Sequence, residues 1–285
     1  MIHTSRQLKA LVRNLSKGSS TKAQIIIRNY VMERFLERLS VSPYCDNLIL
    51  KGGTLVAAIV GLDNRSTLDV DATFKNLPLS KESARKVVED ITGIQIDDGM
   101  VFEITSVALI MDEEKYPGIR VVLNSMLETM RTPLKVDFST GDVITPHEVS
   151  HSYKLLFEDR TISLMAYNLE TVLAEKLETL LTRGTANSRM RDFYDIYSLE
   201  STQLYKIDRT VLKMAFANTS ENRGSSMVVS DIDAILDEVD NSPVIISLWE
   251  NYQRKFDYAA NIGWKAVMES VRRLCSVVKF TEDEK

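Results

Sequence analysis

The spacing of apolar residues changes along the chain near residue 165. Before that point, short segments rich in β-branched residues predict strands, most clearly over residues 100–111, 118–127 and 132–140. Turns around residues 113–118 and 128–133 make an antiparallel order plausible for these three. After residue 165, apolar residues recur with helical spacing to about residue 280. The pattern therefore predicts an α+β fold, with an α/β core followed by a helical domain.

Helical spacing also predicts two helices at the N-terminus, over residues 5–17 and from about residue 20 to residue 40. Shorter strand candidates at 47–51 and 66–74 flank a helix that is expected to end at Gly61. After about residue 280 we expect a frayed tail. We divide the chain into an N-terminal helical element (1–44), an α/β core (45–165) and a C-terminal helical domain (166–285).

Composition narrows the class of protein. The chain has 285 residues, of which 44% are hydrophobic and 26% charged, and no apolar segment approaches the roughly 20 residues that span a bilayer. The N-terminus lacks the apolar block of a signal peptide. Cys45 and Cys275 lie far apart, so neither a disulfide framework nor a zinc site is expected, and we expect a cytoplasmic protein without a membrane role. The net charge of −5 argues against a general nucleic-acid coat but permits a local basic surface.

The acidic pair Asp69 and Asp71 is the first candidate for chemistry. The two stand one residue apart in an alternating segment, so both side chains are expected on one strand face, with Val70 on the other. Like charges on one face repel each other and raise each other's pKa unless a cation intervenes. Carboxylates are ligands for Mg²⁺, often together with substrate phosphates, and also for Mn²⁺. The pair therefore predicts a divalent metal site.

The sequence KGGT at residues 51–54 precedes this strand and predicts a phosphate site. Gly52 and Gly53 allow close approach of the backbone to a ligand. The helix predicted after them would present free N–H groups and a positive dipole end to an anion. Thr54 would add a hydroxyl.

Asp137 supplies a third acid on a later strand. Val136 and Phe138 are expected to face the core, which leaves Asp137 on the other face with Lys135. Three acids can bind two metals, which activate an attacking oxygen and stabilise a leaving phosphate. A lone Asp-x-Asp is usually a solvated strand face, and a lone Gly-Gly-Thr is usually only a turn. Their combination with a later acidic strand favours a nucleotide site.

The segment KGGTLVAAIVGLDNRSTLDVDATF resembles the Gly-Gly-[Ser/Thr]…Asp-x-Asp signature of DNA-polymerase-β-like nucleotidyltransferases. It is most similar to the AbiEii-type toxins of bacterial abortive-infection and type IV toxin–antitoxin systems, which include the MenT toxins. KVDFSTGDVITP is similar to the family's acidic strand, and VLAEKLETLLTRG and RDFYDIYSL resemble its lysine helix and its Arg-Asp-x-x-Asp helix. The resemblance implies a polymerase-β-like core, with helices and a mixed sheet, followed by a helical domain.

The resemblance assigns roles to the residues of the core. The phosphates of an NTP would be held by Gly52, Gly53 and Thr54. The metal ions would be bound by Asp69, Asp71 and Asp137. Asp137 would also help to deprotonate the acceptor hydroxyl.

In the helical motifs, the resemblance implies that Lys176 and Arg183 contact the triphosphate and that Asp192 lies near the nucleotide. Lys176 and Arg183 are seven residues apart, so they share one helix face, where a basic pair would suit a polyanion. Without the core motifs, a solvated amphipathic helix would be the preferred interpretation. Three residues separate LTRGT from RMRDFYD, so the family's arginine role is open among Arg183, Arg189 and Arg191.

Other charged residues of the helical domain receive structural interpretations. Arg191 and Asp195 stand at i and i+4 and can pair with each other. Basic pairs at 254–255 and 272–273 could form an RNA-binding face, although solvated helix surfaces explain them as well. The acidic stretch 231–240 would repel nucleic acid.

The sequence thus predicts a metal-dependent nucleotidyltransferase that uses NTP. The resemblance implies an RNA acceptor, in particular the 3′ end of tRNA, growth arrest as the consequence, and a separately encoded antitoxin that need not bind the toxin. A protein hydroxyl or a small molecule is an alternative acceptor. A catalytically inactive nucleotide-binding regulatory module is an alternative of another class, which the intact acids argue against.

Overall fold

The computed structural model describes residues 1–67, 69–110, 117–227 and 231–279. The chain forms two compact units. The first comprises Met1–Ile59, Ser66–Gly141 and Val149–Ala166, and the second comprises Val60–Arg65, Asp142–Glu148 and Tyr167–Lys285. Most of the turn predicted around 113–118, and the tail predicted after residue 280, lie outside the described residues.

The first unit is built on one mixed sheet, which has seven strands within the described residues. The strands are β1 (Leu48–Leu50), β2 (Asp69–Phe74), β3 (Met100–Ile110), β4 (Gly118–Leu127), β5 (Met130–Thr140), β6 (Val149–Lys154) and β7 (Thr161–Ala166). Their order across the sheet is β3-β4-β5-β2-β1-β7-β6. β2 is parallel to β5 and β1 is parallel to β7, whereas the other neighbours are antiparallel. The antiparallel order predicted for the segments that form β3, β4 and β5 is confirmed.

Four helices in the described residues accompany this sheet. They are α1 (Ser5–Ser16), α2 (Ser20–Ser40), α3 (Gly52–Val60) and α4 (Lys81–Thr92). Local capping explains two of the starts, because the side chains of Thr4 and Ser80 each accept a backbone hydrogen bond in a capping box. α1 packs on α2, α2 packs against β5 and β7, and α4 packs against β3 and β4. The N-terminal helices therefore belong to the same unit as the sheet.

Side-chain alternation in β5 separates the core from the face that carries the acids. Val136 and Phe138 are buried, and the Phe138 ring contacts the Phe74 ring with centroids 4.9 Å apart. Lys135 and Asp137 point to the opposite face, as the sequence predicts. The period of two therefore decides which residues of the strand are available for chemistry.

Strands β6 and β7 extend the sheet beyond the elements that the sequence predicts. In β6 only Tyr153 is buried, so the segment carries almost no apolar signal. β7 does alternate, with Ile162, Leu164 and Ala166 buried, and this pattern would have identified it.

The second unit is helical within the described residues, apart from short turns. Its helices are α5 (Leu169–Arg183), α6 (Met190–Gln203), α7 (Arg209–Asn222), α8 (Ile232–Asp240), α9 (Pro243–Lys255) and α10 (Trp264–Val278). The Asn168 side chain caps α5, and Gly184 follows its last residue, as expected. α5 packs on α7, and α6 packs on α10. No helix in the described parts of the chain has both the length and the apolar character needed to cross a membrane.

Buried ion pairs tie α2 to the rest of the first unit. Arg38 makes a two-point hydrogen bond to the Asp98 carboxylate, with Nη1–Oδ2 and Nη2–Oδ1 distances of 2.7 and 2.9 Å. Arg34 pairs with Glu37 at 2.8 Å and with Glu158 at 3.0 Å. Both arginines lie outside the apolar face of the helix pattern, and yet they are buried. Asp98 and Glu158 are distant in sequence from α2, so helix periodicity could not predict this burial.

Replacing Arg38 with Met should destabilise the protein by about 3–5 kcal/mol, because Asp98 would remain buried without its counter-charge. The matched control is Arg85→Met in α4, where an exposed pair with Glu89 at 3.4 Å is lost and the cost should stay below about 1 kcal/mol. Urea unfolding followed by circular dichroism measures both. Equal losses in the two variants would contradict this account of the Arg38–Asp98 pair.

Candidate active site

The acids of the first unit lie on two neighbouring parallel strands. In the ladder between β2 and β5, Asp71 is the direct partner of Asp137, and Asp69 is the partner of Lys135. Parallel strands lie about 4.8 Å apart, and residues in register present their side chains to the same face. Asp69 and Asp71 share that face, while Val70 is fully buried on the other. The fold therefore brings together the three acids that the sequence singles out.

The Gly-Gly turn packs directly against Asp71. The backbone N–H of Gly53, at the start of α3, donates a hydrogen bond to Asp71 Oδ2 at 3.0 Å. Gly52 has a φ of +57°, and a Cβ atom there would lie 2.7 Å from Asp71 Oδ2. Glycine is required at this position for both reasons. The helix N-terminus predicted to bind an anion therefore binds a carboxylate of the protein itself.

Thr54 takes a position different from the predicted one. Its side chain is buried, and its hydroxyl donates to the backbone oxygen of Asp69 at 2.7 Å and accepts from the backbone N–H of Asp71 at 3.1 Å. The hydroxyl thus fastens α3 to β2 and is not directed to an open phosphate site. Three residues of this turn are predicted to bind phosphate. Gly52 and Gly53 lie against the Asp71 carboxylate, whereas Thr54 binds the backbone of β2.

The crowding of carboxylates changes the titration of Asp71. Burial, followed by the charge of Asp137, raises the pKa of Asp71 to about 6, against the opposing effects of Lys51 and the Gly53 N–H. The charge of Asp69 acts in the same direction as that of Asp137. Burial and the neighbouring carboxylates thus both disfavour the ionised form of Asp71, and a bound cation would offset that cost.

Arg120 on β4 is a site residue that the sequence analysis missed. Its Nε and Nη2 atoms donate to the two oxygens of Asp137 at 2.7 and 2.6 Å. The hydrogen bonds to Asp137 raise the pKa of Arg120, and the charges of Asp69 and Asp71 act in the same direction. One feature of the sequence could have identified Arg120. It is the single basic residue in the apolar segment GIRVV, which lies on the strand before the one that carries Asp137.

The donor chemistry of this face fits a divalent cation, although the acids do not form a ready cage. Among the described residues, no group of three or more acidic, histidine or cysteine side chains is arranged around a metal position. Arg120 holds both oxygens of Asp137, and Gly53 holds one oxygen of Asp71. Hard oxygen donors and unneutralised charge are what Mg²⁺ or Mn²⁺ requires. Arg120 therefore competes with a cation for Asp137.

In the second unit, Lys176 lies in a buried ionic network. Its Nζ donates to Asp192 Oδ1 at 2.8 Å and to Asp195 Oδ2 at 2.7 Å. Asp195 also binds Arg65 through two hydrogen bonds of 2.7 and 3.2 Å. Burial lowers the pKa of Lys176, but the two aspartates outweigh that effect and leave its pKa raised. Lys176 is therefore a charged residue buried between two carboxylates and does not lie on an open helix face.

The expected pair between Arg191 and Asp195 does not form. Asp195 is fully buried and is held by Lys176 and Arg65, whereas the Arg191 guanidinium lies over the Phe256 ring at 5.8 Å. A fully buried carboxylate needs buried partners, and Arg191 is exposed. The prediction from i, i+4 spacing was wrong for this reason.

The three candidate arginines of the helical motifs occupy different positions. Arg183 is the exposed last residue of α5. Arg189 lies 2.7 Å from Asp192 Oδ2 through its Nε atom. Arg189, Arg191 and Asp192 line one cavity of about 470 Å³ together with Phe256. Arg189 is thus the arginine in direct contact with a predicted site residue.

Comparison with known proteins identifies the family. The family described as nucleotidyl transferase AbiEii toxin, type IV TA system, matches residues 34–271 of the chain. This chain belongs to the AbiEii nucleotidyltransferase toxin family. The match covers most of both units and all of the family motifs discussed above, so the resemblance found in the sequence is confirmed. The protein is a nucleotidyltransferase toxin of the type IV toxin–antitoxin class.

A solved structure of another toxin shares the fold. MenT4, a nucleotidyltransferase toxin from Mycobacterium tuberculosis H37Rv, is similar at a TM-score of 0.56 and 18% identity, over 95% of this chain and 99% of that one. A putative nucleotidyltransferase and the protein JHP933, both from Helicobacter pylori, each match at a TM-score of 0.48 and 14% identity over 90% of this chain, and over 96% and 93% of their own. No curated protein matches the chain by sequence. The predicted α+β class with a nucleotidyltransferase core is confirmed.

Removing the charge of Asp71 should stabilise the metal-free protein above pH 6. The folded-state pKa of about 6 lies above the ordinary value of 3.8. The unfolded chain therefore loses this proton first as the pH rises, and folding stability falls between about pH 4 and pH 6. Asp71→Asn lacks this loss, so in EDTA its Tm should exceed that of the wild type at pH 8 and match it near pH 4.

The control for that experiment is Asp97→Asn, because the Asp97 side chain is 99% exposed. Its Tm should follow the wild type at each pH. Mn²⁺ added at pH 8 should raise the Tm of the wild type and leave that of Asp71→Asn unchanged. A lower Tm of Asp71→Asn at pH 8 in EDTA would show that the acids do not repel each other as described.

Replacing Arg120 with Ala should strengthen Mn²⁺ binding in the absence of nucleotide, because the variant lacks the cation that competes for Asp137. We expect a fivefold to tenfold lower Kd, roughly the effect of losing a partly exposed ion pair of about 1 kcal/mol. Titration calorimetry measures it. Arg131→Ala removes the same charge from an exposed position on β5 and should leave the Kd unchanged. Equal shifts in the two variants would mean that net charge alone is responsible.

Proposed function

We propose that this toxin transfers a nucleoside monophosphate from an NTP to an RNA hydroxyl, at the 3′ end of tRNA, and thereby arrests growth. The observation that carries the proposal is the register of Asp71 against Asp137, beside the Gly52–Gly53 turn at the start of α3. This arrangement joins an acidic face to a helix N-terminus, where the Gly53 N–H binds Asp71 in the free protein and is a type of donor that also suits phosphate. Membership of the AbiEii family supports the reaction class.

In the proposed reaction, the acceptor oxygen attacks the α-phosphorus of the NTP. A new P–O bond forms, the bond between the α-phosphorus and its bridging oxygen breaks, and pyrophosphate leaves with that electron pair. Asp69, Asp71 and Asp137 would hold Mg²⁺ or Mn²⁺, which when bound would supply the positive charge that neutralises the phosphates. Asp137 would also accept the proton of the acceptor hydroxyl.

Arg120 has a defined part in this scheme. Its guanidinium presents two donors in a fork that fits a carboxylate or a phosphate equally well. In the free protein the fork binds Asp137. When a triphosphate arrives, Arg120 would exchange the carboxylate for phosphate oxygens, and Asp137 would become free to act.

The helical unit would contribute further contacts to the nucleotide. Lys176 and Arg183 would bind the triphosphate and Asp192 would lie near the nucleotide, in line with the matching motifs of the family. The ion pair between Arg189 and Asp192 makes Arg189 a further candidate for the arginine role. Lys176 is already held in place by Asp192 and Asp195, so its charge would not have to be ordered during binding.

The biological setting follows from the toxin class. We propose that the protein acts in the cytoplasm, where NTPs and tRNA are available, and that it contributes to defence against phage by abortive infection. A separately encoded antitoxin would restrain it, with or without direct binding.

The test is transfer of label from NTPs carrying a radioactive α-phosphate, each offered with tRNA, with cell lysate or with small-molecule pools. We expect label at tRNA 3′ ends, dependent on added Mg²⁺ or Mn²⁺, and loss of at least about 10²-fold in Asp69→Asn and Asp71→Asn. Asp159→Asn, which changes an exposed acid, should keep full activity. Sequencing of tRNA 3′ ends after induced expression checks the same reaction in cells, with Lys176→Ala as a second inactive variant.

The other outcomes identify the alternatives. Label in protein or in a small molecule would replace the RNA acceptor but retain the nucleotidyltransferase chemistry. Absence of label from every fraction, together with full toxicity of Asp71→Asn, would replace the enzyme by an inactive nucleotide-binding module.

A further inference from the structure

The charges of this chain are strongly segregated. Residues 1–32 contain six basic residues and no acidic residue, although the whole chain carries a net charge of −5. The remaining residues therefore carry a net charge of −11. A positive segment on an otherwise acidic protein creates a local field that attracts polyanions.

Helix α1 arranges part of this charge in one stripe. Arg6, Lys9 and Arg13 stand at i, i+3 and i+7, so they project from one side of the helix, and all three are exposed. Lys17, which follows the last residue of α1, extends the basic surface. We call Arg6, Lys9, Arg13 and Lys17 the α1 surface.

The α1 surface is not neutralised by ion pairs. Among the described residues, none of its four side chains forms a salt bridge. The basic pair predicted as a possible RNA face at 272–273 behaves differently, because Arg272 binds Asp237 and Asp240, and Arg273 binds Glu200. The positive charge of α1 therefore remains available to a ligand, whereas that of the 272–273 pair is already compensated.

The apolar side of α1 is already occupied, which favours a polyanion over a lipid surface. Leu8 and Val12 are buried, at 0% and 3% exposure, where α1 packs on α2. Of the large apolar side chains of this helix, Leu11 and Leu15 are exposed, at 38% and 41%. A helix that binds membranes inserts a broad apolar face beneath its basic residues, and here that face belongs to the protein core.

The start of the α1 surface lies far from Asp137. Ser5, the first residue of α1, donates two hydrogen bonds to Glu128 in the turn between β4 and β5, at 3.0 and 2.7 Å. Asp137 lies seven residues beyond Met130 in β5, which is about 23 Å along the strand. The first turn of α1, which carries Arg6, is therefore too distant for a small acceptor at Asp137 to contact, whereas a folded RNA can reach both places.

We propose that the α1 surface is a docking site for the phosphate backbone of a folded RNA whose 3′ end enters the active site. The inference rests on the proposed function and specifies how the acceptor is held. Arginine and lysine side chains on a regular helix contact phosphates without reading base sequence. The family match begins at residue 34, so this docking surface lies outside the matched region.

The experiment compares two triple variants that lose the same charge. One is Arg6→Ala, Lys9→Ala, Arg13→Ala, and the matched control is Lys81→Ala, Arg85→Ala, Lys86→Ala on α4, where two of the three residues are already paired. Binding of fluorescently labelled bacterial tRNA is followed by anisotropy without NTP, over a series of salt concentrations. The α1 variant should bind about tenfold more weakly, with a salt slope smaller by about 2–3, and the control should match the wild type. Arg6→Lys with Arg13→Lys should retain binding.

A second measurement separates docking from chemistry. For label transfer to full-length tRNA, the α1 variant should show a raised KM and an unchanged kcat. For a short single-stranded oligonucleotide with the same 3′ sequence, both constants should match the wild type. Alanine favours helix formation at exposed positions, so the variant should keep its fold, and circular dichroism checks this.

The outcomes that overturn the inference differ from those that overturn the proposed function. Equal RNA binding by the two triple variants, or wild-type binding to vesicles of anionic lipid and not to tRNA, would remove the α1 surface as an RNA site. Absence of label from both the tRNA and the short oligonucleotide, while tRNA binding still depends on α1, would remove the proposed reaction and leave the docking site intact.

Discussion

The candidate site depends on two carboxylates held side by side on a sheet. Asp71 and Asp137 are register partners on parallel strands, so they cannot separate unless the ladder between β2 and β5 breaks. Like charges at this separation are unfavourable without a counter-charge. In the free protein the Gly53 N–H and the Arg120 guanidinium offset this charge. Helix N-termini and arginine forks are also phosphate-binding groups. The two donors that offset the repulsion between the carboxylates in the free protein, the Gly53 N–H and the Arg120 guanidinium, are therefore also suited to bind a triphosphate.

The sequence predicts the parts of this site that depend on local periodicity, and it fails where the contact is long-range. Alternation within single strands was enough to place Asp69 and Asp71 on one face, and Asp137 opposite Val136. The pairing of β2 with β5 joins segments that lie more than 60 residues apart, so no local pattern determines it. Arg120 was missed for the same reason, since its role exists only because β4 pairs with β5.

The helical unit shows how burial overrides local spacing. The i, i+4 rule favoured a pair between Arg191 and Asp195, and that rule describes exposed helix surfaces. Asp195 is fully buried and takes Arg65, 130 residues away in sequence, together with Lys176. The boundaries of the helices, in contrast, followed from capping residues such as Asn168 and Gly184, whose effect is local. The site residues of this unit are thus predictable as motif positions, and their contacts are not.

The exposure of each ion pair indicates which one can rearrange when substrate binds. Arg65 and Asp195 are 1% and 0% exposed, and separation of such a pair leaves uncompensated buried charges at a cost of about 3–5 kcal/mol. Arg120 and Asp137 are 35% and 17% exposed, so water can solvate both groups as they part, and the expected cost is about 1 kcal/mol or less. Binding of a triphosphate can readily supply the smaller amount. The ion pair between Arg120 and Asp137 is therefore the one expected to exchange when substrate binds, whereas the buried network around Lys176 is expected to stay intact.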